Sequence, residues 1–342
     1  MHSPIHRIVS VVLVTALFVF TGPSRAAFTS MVVFGDSLSD QGNIYDLTSR
    51  NPFLPLIPPP EYTDGATVGR FTNGQNYIDY LSSSLSLGVL PSRLDGSNYA
   101  YGGARTDSAS IGGIPIGRYS LLDQRDAYFR DLRGAGIDAG ALHVVYGGSN
   151  DVLDIIDRLF VDPAYEPLAA LNTAVTNISD ILVSLAAANA KNMLVPNIPN
   201  LGLVPLVTNG GNPVMAATEL SVLFNKGLAS TIDALAAAYP ETRVFEFDVF
   251  NLFTDAYMDP LGYGFTNVTE ACYSLFVKSG GTTCANPSDF LSWDGLHPTT
   301  TAHALLASNV VVPVPAAVWL FGSGLLSLLV VARCRRASPH VE

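Results

Sequence analysis

The stretch Ser30-Met31-Val32-Val33-Phe34-Gly35-Asp36-Ser37 decides the fold class. Its apolar, β-branched centre ends at a glycine, which is typical of a short strand buried on both faces. A serine, Ser37, follows two residues after that glycine, where the chain leaves the sheet. Similar runs recur along the sequence, the last of them weaker: Leu142–Tyr146, Asn192–Pro196, Arg243–Phe247 and residues 98–101.

Helical patterns lie between these runs. Residues 168–190 and 216–238 carry apolar side chains on one face, and residues 76–85 and 119–132 show shorter patterns of the same kind. Strands that alternate with helices favour a parallel sheet covered on both faces. The sequence therefore predicts one α/β domain, a three-layer α/β/α sandwich with a five-stranded, mainly parallel sheet.

The composition excludes several classes of protein. Of 342 residues, 48% are hydrophobic and 14% charged, and the net charge is −11. A disordered chain would need the opposite balance. A strongly acidic surface also repels polyanions, so we expect no nucleic-acid partner.

Ser37 is a candidate nucleophile because it follows the first strand. In open α/β sheets, ligands bind beyond the carboxyl ends of the strands. A serine or aspartate after a strand is also a common helix cap, so this segment alone leaves both interpretations open.

A nucleophilic serine needs a base and a group that orients the base. Of six histidines, His143 lies in an apolar strand and is assigned to the core, and His303 is assigned to a helix surface. In Asp294-Gly295-Leu296-His297 a carboxylate precedes a histidine by three residues, which places both side chains on one side of a turn. The alternative is an ordinary Asp-Gly turn beside a surface histidine.

Acyl transfer also needs hydrogen-bond donors for the oxyanion. Tyr101-Gly102-Gly103-Ala104 follows one predicted strand, and Gly147-Gly148-Ser149-Asn150-Asp151 follows another. Each could be merely a structural turn. Their placement with Ser37, after three separate strands, favours a common site.

Together these segments resemble the four blocks of the SGNH/GDSL hydrolases. Gly35-Asp36-Ser37-Leu38, Gly103, Asn150 and Asp294-x-x-His297 stand in the family's order. Residues 69–74 (Gly-Arg-Phe-Thr-Asn-Gly) and 195–199 are similar to its GDSL lipase/esterase branch. The resemblance implies Ser37 as nucleophile, His297 as base and Asp294 as the group that orients it. It also implies an oxyanion hole formed by the Ser37 N–H, the Gly103 N–H and Asn150, with Gly102 as a competitor of Gly103.

The two ends of the chain predict export and sorting. Residues 1–26 have a weakly basic start, an apolar run and a cleavage site with small residues, the pattern of a signal peptide. Residues 316–332 are apolar and precede an arginine cluster, the pattern of a membrane segment whose basic end stays in the cytoplasm. Residues 312–342 closely resemble the PEP-CTERM sorting tail of Gram-negative bacteria, although Val314 replaces the usual acidic residue. That resemblance implies an exosortase as a partner; the alternative is a plain C-terminal anchor.

Two further features belong to the exported domain, residues 27–311. Cys272 and Cys284 are 12 residues apart, and in an oxidising compartment they are expected to form a disulfide. Residues 51–60 are rich in proline and cannot form a helix or a central strand. This apolar loop either packs on the body or forms a wall of an acyl-binding groove.

The sequence therefore predicts an exported serine esterase or lipase of the cell envelope or the extracellular space. It would act on carboxylic esters, lipids among them, through an acyl-enzyme on Ser37, with no metal or cofactor. The alternatives are a carbohydrate-ester deacetylase and a non-catalytic envelope or matrix protein that keeps the fold.

Overall fold

A parallel four-stranded sheet forms the centre of the protein. The computed structural model describes residues 28–312, except 109, 112–113, 116–118, 160, 210–212 and 275–281. The central sheet has the order β1-β4-β5-β6, and all three pairings are parallel. The strands are β1 (Met31–Gly35), β2 (Ser110–Ile111), β3 (Ile114–Pro115), β4 (Leu142–Tyr146), β5 (Asn192–Pro196), β6 (Arg243–Phe247), β7 (Asn267–Ala271), β8 (Tyr273–Ser274), β9 (Thr282–Thr283) and β10 (Phe290–Ser292).

The four predicted helical patterns, two long and two shorter, are confirmed, with ends that differ by at most three residues. Asn76 and Ser120 each begin a helix with a reciprocal capping box, which fixes those starting points. The helices are α1 (Asn43–Ser49), α2 (Tyr77–Ser84), α3 (Leu121–Asp131), α4 (Ser149–Leu159), α5 (Pro167–Ala187), α6 (Pro205–Thr208), α7 (Val214–Ala238), α8 (Val249–Met258) and α9 (Thr300–Asn309).

The alternation of side chains along the strands produces the three layers. Along β1, Val32 and Phe34 pack with α3, α4, α5 and α7, whereas Met31 and Val33 pack with α2, α8 and α9. Because successive strand residues point to opposite faces, each face acquires its own apolar core. The predicted α/β/α sandwich is confirmed.

The weakest predicted strand is an edge segment rather than a regular strand. Residues 97–101 run beside β1, where Val33 N donates to Ser97 O, Tyr99 N to Val33 O and Tyr101 N to Gly35 O. Only the pair Val33–Asn98 has regular bridge geometry, so the sheet has four full strands and a partial fifth. This edge leads the chain directly into residues 101–104.

The last part of the domain is built outside the central sheet. β10 pairs with β7, β8 pairs with β9, and α9 packs against α2. Within the described residues, one helix, α5, is long and apolar enough to cross a membrane, and one face of it lies in the core.

Candidate active site

Ser37 lies in a tight turn at the carboxyl edge of the sheet. Asp36 O accepts hydrogen bonds from Ser39 N and Asp40 N, and Asp36 Oδ1 accepts one from Leu38 N at 3.0 Å. A side chain at Gly35 would place its Cβ 2.7 Å from the Tyr146 carbonyl oxygen, so only glycine allows this turn to lie against β4.

Three of the predicted residues form a continuous hydrogen-bonded line. The Ser37 Oγ lies 2.8 Å from His297 Nε2, across 260 residues of sequence, and His297 Nδ1 lies 2.7 Å from Asp294 Oδ2. In this geometry Nδ1 donates to the carboxylate, and Nε2 is left to accept the serine proton. The arrangement can remove a proton from Ser37 as its oxygen attacks.

Asp294 is held by four hydrogen bonds from three residues. Its Oδ1 accepts the backbone N–H groups of Leu296 and His297, both at 2.7 Å. Its Oδ2 accepts Tyr62 Oη–H at 2.6 Å in addition to His297 Nδ1. These four hydrogen bonds therefore hold the carboxylate in place beside the imidazole.

The electrostatics of the site favour the charged forms of Asp294 and His297. Burial by itself would raise the pKa of Asp294, but the nearby His297 charge and the hydrogen bonds hold the pKa below its usual value. Burial opposes the charge of His297, yet Asp294, and more weakly Asp36, raise the pKa of His297 above its usual value. An imidazolium formed during a reaction would thus be stabilised by Asp294.

The N–H groups of Gly102 and Gly103 differ in whether they already have a hydrogen-bond partner. Gly102 N donates to Asp40 Oδ2 at 2.9 Å, so this N–H is occupied. Gly103 has a φ of 76°, a left-handed conformation that suits glycine. Among the residues that the structure describes, no group accepts a hydrogen bond from Ser37 N or Gly103 N.

Asn150 lies at the start of α4, beside the same loop. Its Nδ2 donates one hydrogen to Ala104 O at 2.9 Å, which ties α4 to the residue after Gly103. An amide nitrogen carries two hydrogens, so one remains for a ligand. The donors that the resemblance implies thus stand on neighbouring segments.

Asp40 joins the serine turn to the glycine loop. Besides Gly102 N, its carboxylate accepts the backbone N–H groups of Gly42, Asn43 and Ile44. Burial raises the pKa of Asp40 to about 6, against the effect of these donors. No local sequence signal indicated this role, although Asp40 lies only three residues after Ser37.

Phe71 places the Gly69–Gly74 segment against the candidate base. Its ring centroid lies 5.3 Å from that of His297, and it packs with Tyr101 and with Ile57 of the proline-rich loop. In the same segment Thr72 donates to Pro298 O at 2.8 Å. The segment therefore supports the turn that carries His297 and puts an apolar surface beside it.

The two cysteines form a disulfide close to Asp294. Cys272 is bonded to Cys284, and Cys272 N donates to Ser292 O. Cys272 and Tyr273 pack with Tyr62 and Trp293 in one aromatic cluster. The disulfide thus lies against the strand that leads into the Asp294 turn.

The two remaining histidines of the domain are both buried. His143 lies in the core as expected, where burial lowers its pKa to about 4. The assignment of His303 to a helix surface is wrong: it is 1% exposed, and its Nδ1 accepts Tyr77 N at 3.3 Å. Burial, and then the His297 charge, lower the pKa of His303 to about 3. The face of α9 that carries it packs on α2, which the local pattern did not indicate.

The chain matches the sequence model of a known protein family and is similar in sequence to several known proteins. The sequence model of the family described as GDSL-like Lipase/Acylhydrolase matches residues 31–310. A GDSL esterase/lipase of Arabidopsis thaliana is 27% identical over 342 residues, covering 88% of this chain and 95% of the relative, and another from the same plant is 24% identical over 348 residues, with the same coverage.

Solved structures of other hydrolases also align with the chain. An acetylxylan esterase from Geobacillus stearothermophilus has a TM-score of 0.43 at 14% identity, covering 83% of this chain and 94% of its own. An α/β hydrolase from the metagenome of Lake Arreo gives the same TM-score and identity, with 83% and 95% coverage. The family match spans most of the sequence and includes the Ser37 and His297 segments, so the chain belongs to the GDSL-like lipase/acylhydrolase family and is a serine ester hydrolase.

Proposed function

We propose that Ser37, His297 and Asp294 are the catalytic residues of this ester hydrolase. The observation that carries the proposal is the line from Ser37 Oγ through His297 to Asp294, with contacts of 2.8 and 2.7 Å. Such spacing is what transfer of the serine proton to Nε2 requires.

In the first half of the reaction, Ser37 Oγ attacks the carbonyl carbon of the ester while His297 Nε2 takes its proton. The oxyanion of the tetrahedral intermediate accepts hydrogen bonds from Ser37 N, Gly103 N and Asn150 Nδ2. The alcohol leaves with the proton from His297, and the acyl group stays on Ser37.

In the second half, water attacks the acyl carbon and gives a proton to His297. The carbon–oxygen bond to Ser37 breaks, the proton returns to Oγ, and the free acid leaves. Asp294 remains ionised throughout and stabilises the imidazolium. No metal or cofactor takes part in this mechanism.

The experiment is ester turnover by the purified protein and by Ser37→Ala. We expect the variant to stay folded and to lose activity by more than about 10³-fold, since no other group replaces the nucleophile. A serine-directed phosphonate should add one adduct to the wild type, seen by intact mass, and none to Ser37→Ala. Near-normal turnover in Ser37→Ala would overturn the assignment.

We propose further that the acyl part of the substrate lies against Phe71 and Ile57. These side chains form an apolar cluster with Tyr101 beside His297, and Ile57 belongs to the proline-rich loop. A panel of p-nitrophenyl esters of graded chain length, phospholipids and acetylated sugars tests this. A preference for acetylated sugars would instead favour the carbohydrate-ester deacetylase.

We also propose that the enzyme is exported and that residues 312–342 are a PEP-CTERM-like sorting tail processed by an exosortase. Residues 1–26 and nearly all of this tail lie outside the described residues. The Cys272–Cys284 disulfide supports an oxidising compartment, in which such bonds persist. Intact-mass measurement of the envelope or secreted protein tests the tail: a mature form that still carries Trp319 would favour a plain membrane anchor.

A further inference from the structure

The Tyr62 hydroxyl contacts the carboxylate of Asp294 on its oxygen toward His297. Tyr62 Oη donates to Asp294 Oδ2 at 2.6 Å, in a buried contact between residues 232 apart in sequence. That oxygen is also the one that His297 Nδ1 contacts, at 2.7 Å. Two donors therefore share one carboxylate oxygen.

Tyr62 is held in this position by aromatic packing. Its ring meets Tyr273 and Trp293 edge-on, at 5.5 and 5.7 Å between centroids, and Tyr273 stacks on Trp293 at 5.4 Å. Tyr62 is 5% exposed. The packing of the Tyr62 ring, rather than solvent, therefore holds the hydroxyl in contact with Asp294.

We infer that Tyr62 is a positioning residue that sets the basicity of His297 through Asp294; this rests on the catalytic roles proposed above. A hydrogen bond from a neutral donor draws charge from Oδ2 and weakens its attraction for the imidazolium. With Tyr62 in place, His297 binds its proton less tightly and stays neutral, and thus active as a base, to lower pH. Burial and the Asp294 charge raise the pKa of Tyr62 far above its usual value, so the hydroxyl remains a donor at any working pH.

The other titratable groups around the pair do not depend on this hydroxyl. Asp36 acts on His297 from the turn after β1. His303 in α9 stays neutral, because burial and the His297 charge lower its pKa to about 3. Glu61 acts on both Tyr62 and Tyr273. Removal of the Tyr62 oxygen leaves all three in place.

The orientation of Asp294 also survives the loss of this hydroxyl. Its Oδ1 keeps the N–H groups of Leu296 and His297, and its Oδ2 keeps His297 Nδ1. A change in the titration of His297 would therefore report on the charge of the carboxylate rather than on its displacement.

The experiment compares Tyr62→Phe with Tyr273→Phe, which removes a hydroxyl from the same aromatic cluster without touching Asp294. Two quantities are measured. The first is the acid limb of the pH profile of kcat/KM for a p-nitrophenyl ester, and the second is the NMR titration of the His297 ring in the full-length protein without substrate. In Tyr62→Phe both should move to higher pH by roughly 0.5–1 unit, less than a full neighbouring charge would give. In Tyr273→Phe neither should move.

An unchanged His297 titration in folded Tyr62→Phe would show that the hydroxyl has only a structural role. A shift to lower pH would show that it strengthens the base, the opposite of the inference. Either result overturns the proposal. If the wild type hydrolyses no ester, the proposed function fails, but the NMR titration still decides the role of Tyr62.

Discussion

Replacement of Gly102 by alanine should disable the enzyme through Phe71. A Cβ at this position would lie 2.2 Å from Phe71 Cζ and 2.3 Å from Cε2. The shorter distance is about 1.3 Å less than an ordinary carbon–carbon contact of roughly 3.5 Å, so the ring must shift. Phe71 is buried among Ile44 and Tyr101 and faces His297.

Gly102→Ala should lower both the stability of the fold and the rate of catalysis. Overpacking of a filled site costs about 1–3 kcal/mol of the free energy of unfolding. A displacement of about 1 Å at a catalytic group lowers the rate by roughly 10²-fold, and the His297 ring is the neighbour that the Phe71 ring would disturb. Gly102→Ala should therefore lower kcat/KM by about 10²-fold while the protein stays folded.

Urea unfolding measures the loss of stability, and p-nitrophenyl ester kinetics measure the loss of kcat/KM. Gly136→Ala is the matched control, because its Cβ would meet nothing within 4 Å and both stability and kcat/KM should stay near wild type. Phe71→Leu in the Gly102→Ala background should recover part of the lost stability, with an interaction energy of at least about 1 kcal/mol. Wild-type kinetics in Gly102→Ala, or strict additivity in the double variant, would refute the reasoning.

Three further predictions concern the oxyanion donors, the disulfide and the base. Asn150→Ala should lower kcat by about 10²–10³-fold with KM little changed, as steady-state kinetics would show; a change confined to KM would contradict a role in the transition state. Replacing Cys272 and Cys284 together by serine should lower the free energy of unfolding by roughly 3 kcal/mol through the closed loop, and an unchanged urea midpoint would refute this. Because the pKa of His297 is raised and the base must be neutral, kcat/KM should fall as the pH drops through a value above the usual 6.5; a midpoint below 6.5 would contradict the Asp294 contact.

The fold was largely predictable because its signals are local. β1, β4 and β5 are buried apolar runs, and a strand covered on both faces leaves that pattern in any sequence. β6 lies at the edge of the sheet and is only partly buried, but Val244, Phe245 and Phe247 still mark it as a strand. The short helices were predicted unevenly, because so few residues give few periods to recognise: α2 and α3 were recognised, whereas α1, α4, α6 and α8 were not. For α9, only the assignment of His303 to a helix was made. Residues 98–101 were predicted as a strand of the sheet, but they form only a partial one. Sequence does not separate the two cases, because such an edge segment has the same composition as a regular strand.

The residues of the candidate site could likewise be predicted only in part. Ser37, the Gly102–Gly103 loop and Asn150 could be proposed because each follows a predicted strand, and Asp294 and His297 because a carboxylate precedes a histidine by three residues. The family resemblance then favoured Gly103 over Gly102. Tyr62 could not be proposed, because nothing near it in sequence marks a tyrosine whose partner lies 232 residues away. His303 was misplaced because one short helix does not reveal which of its faces meets a second layer.

The position of His297, in the turn between β10 and α9, has a consequence for synthesis of the protein. Ser37 leaves the ribosome near the start of the domain, whereas His297 follows 260 residues later, after every strand of the central sheet. A nascent chain can therefore form its sheet while it still lacks a base. The contact that completes the site is among the longest in sequence, and contacts of that kind form late because the chain between them must first be ordered. We therefore expect hydrolytic activity only after the C-terminal segment with α9 has docked on α2, and we expect chains that end before His297 to be inert toward esters.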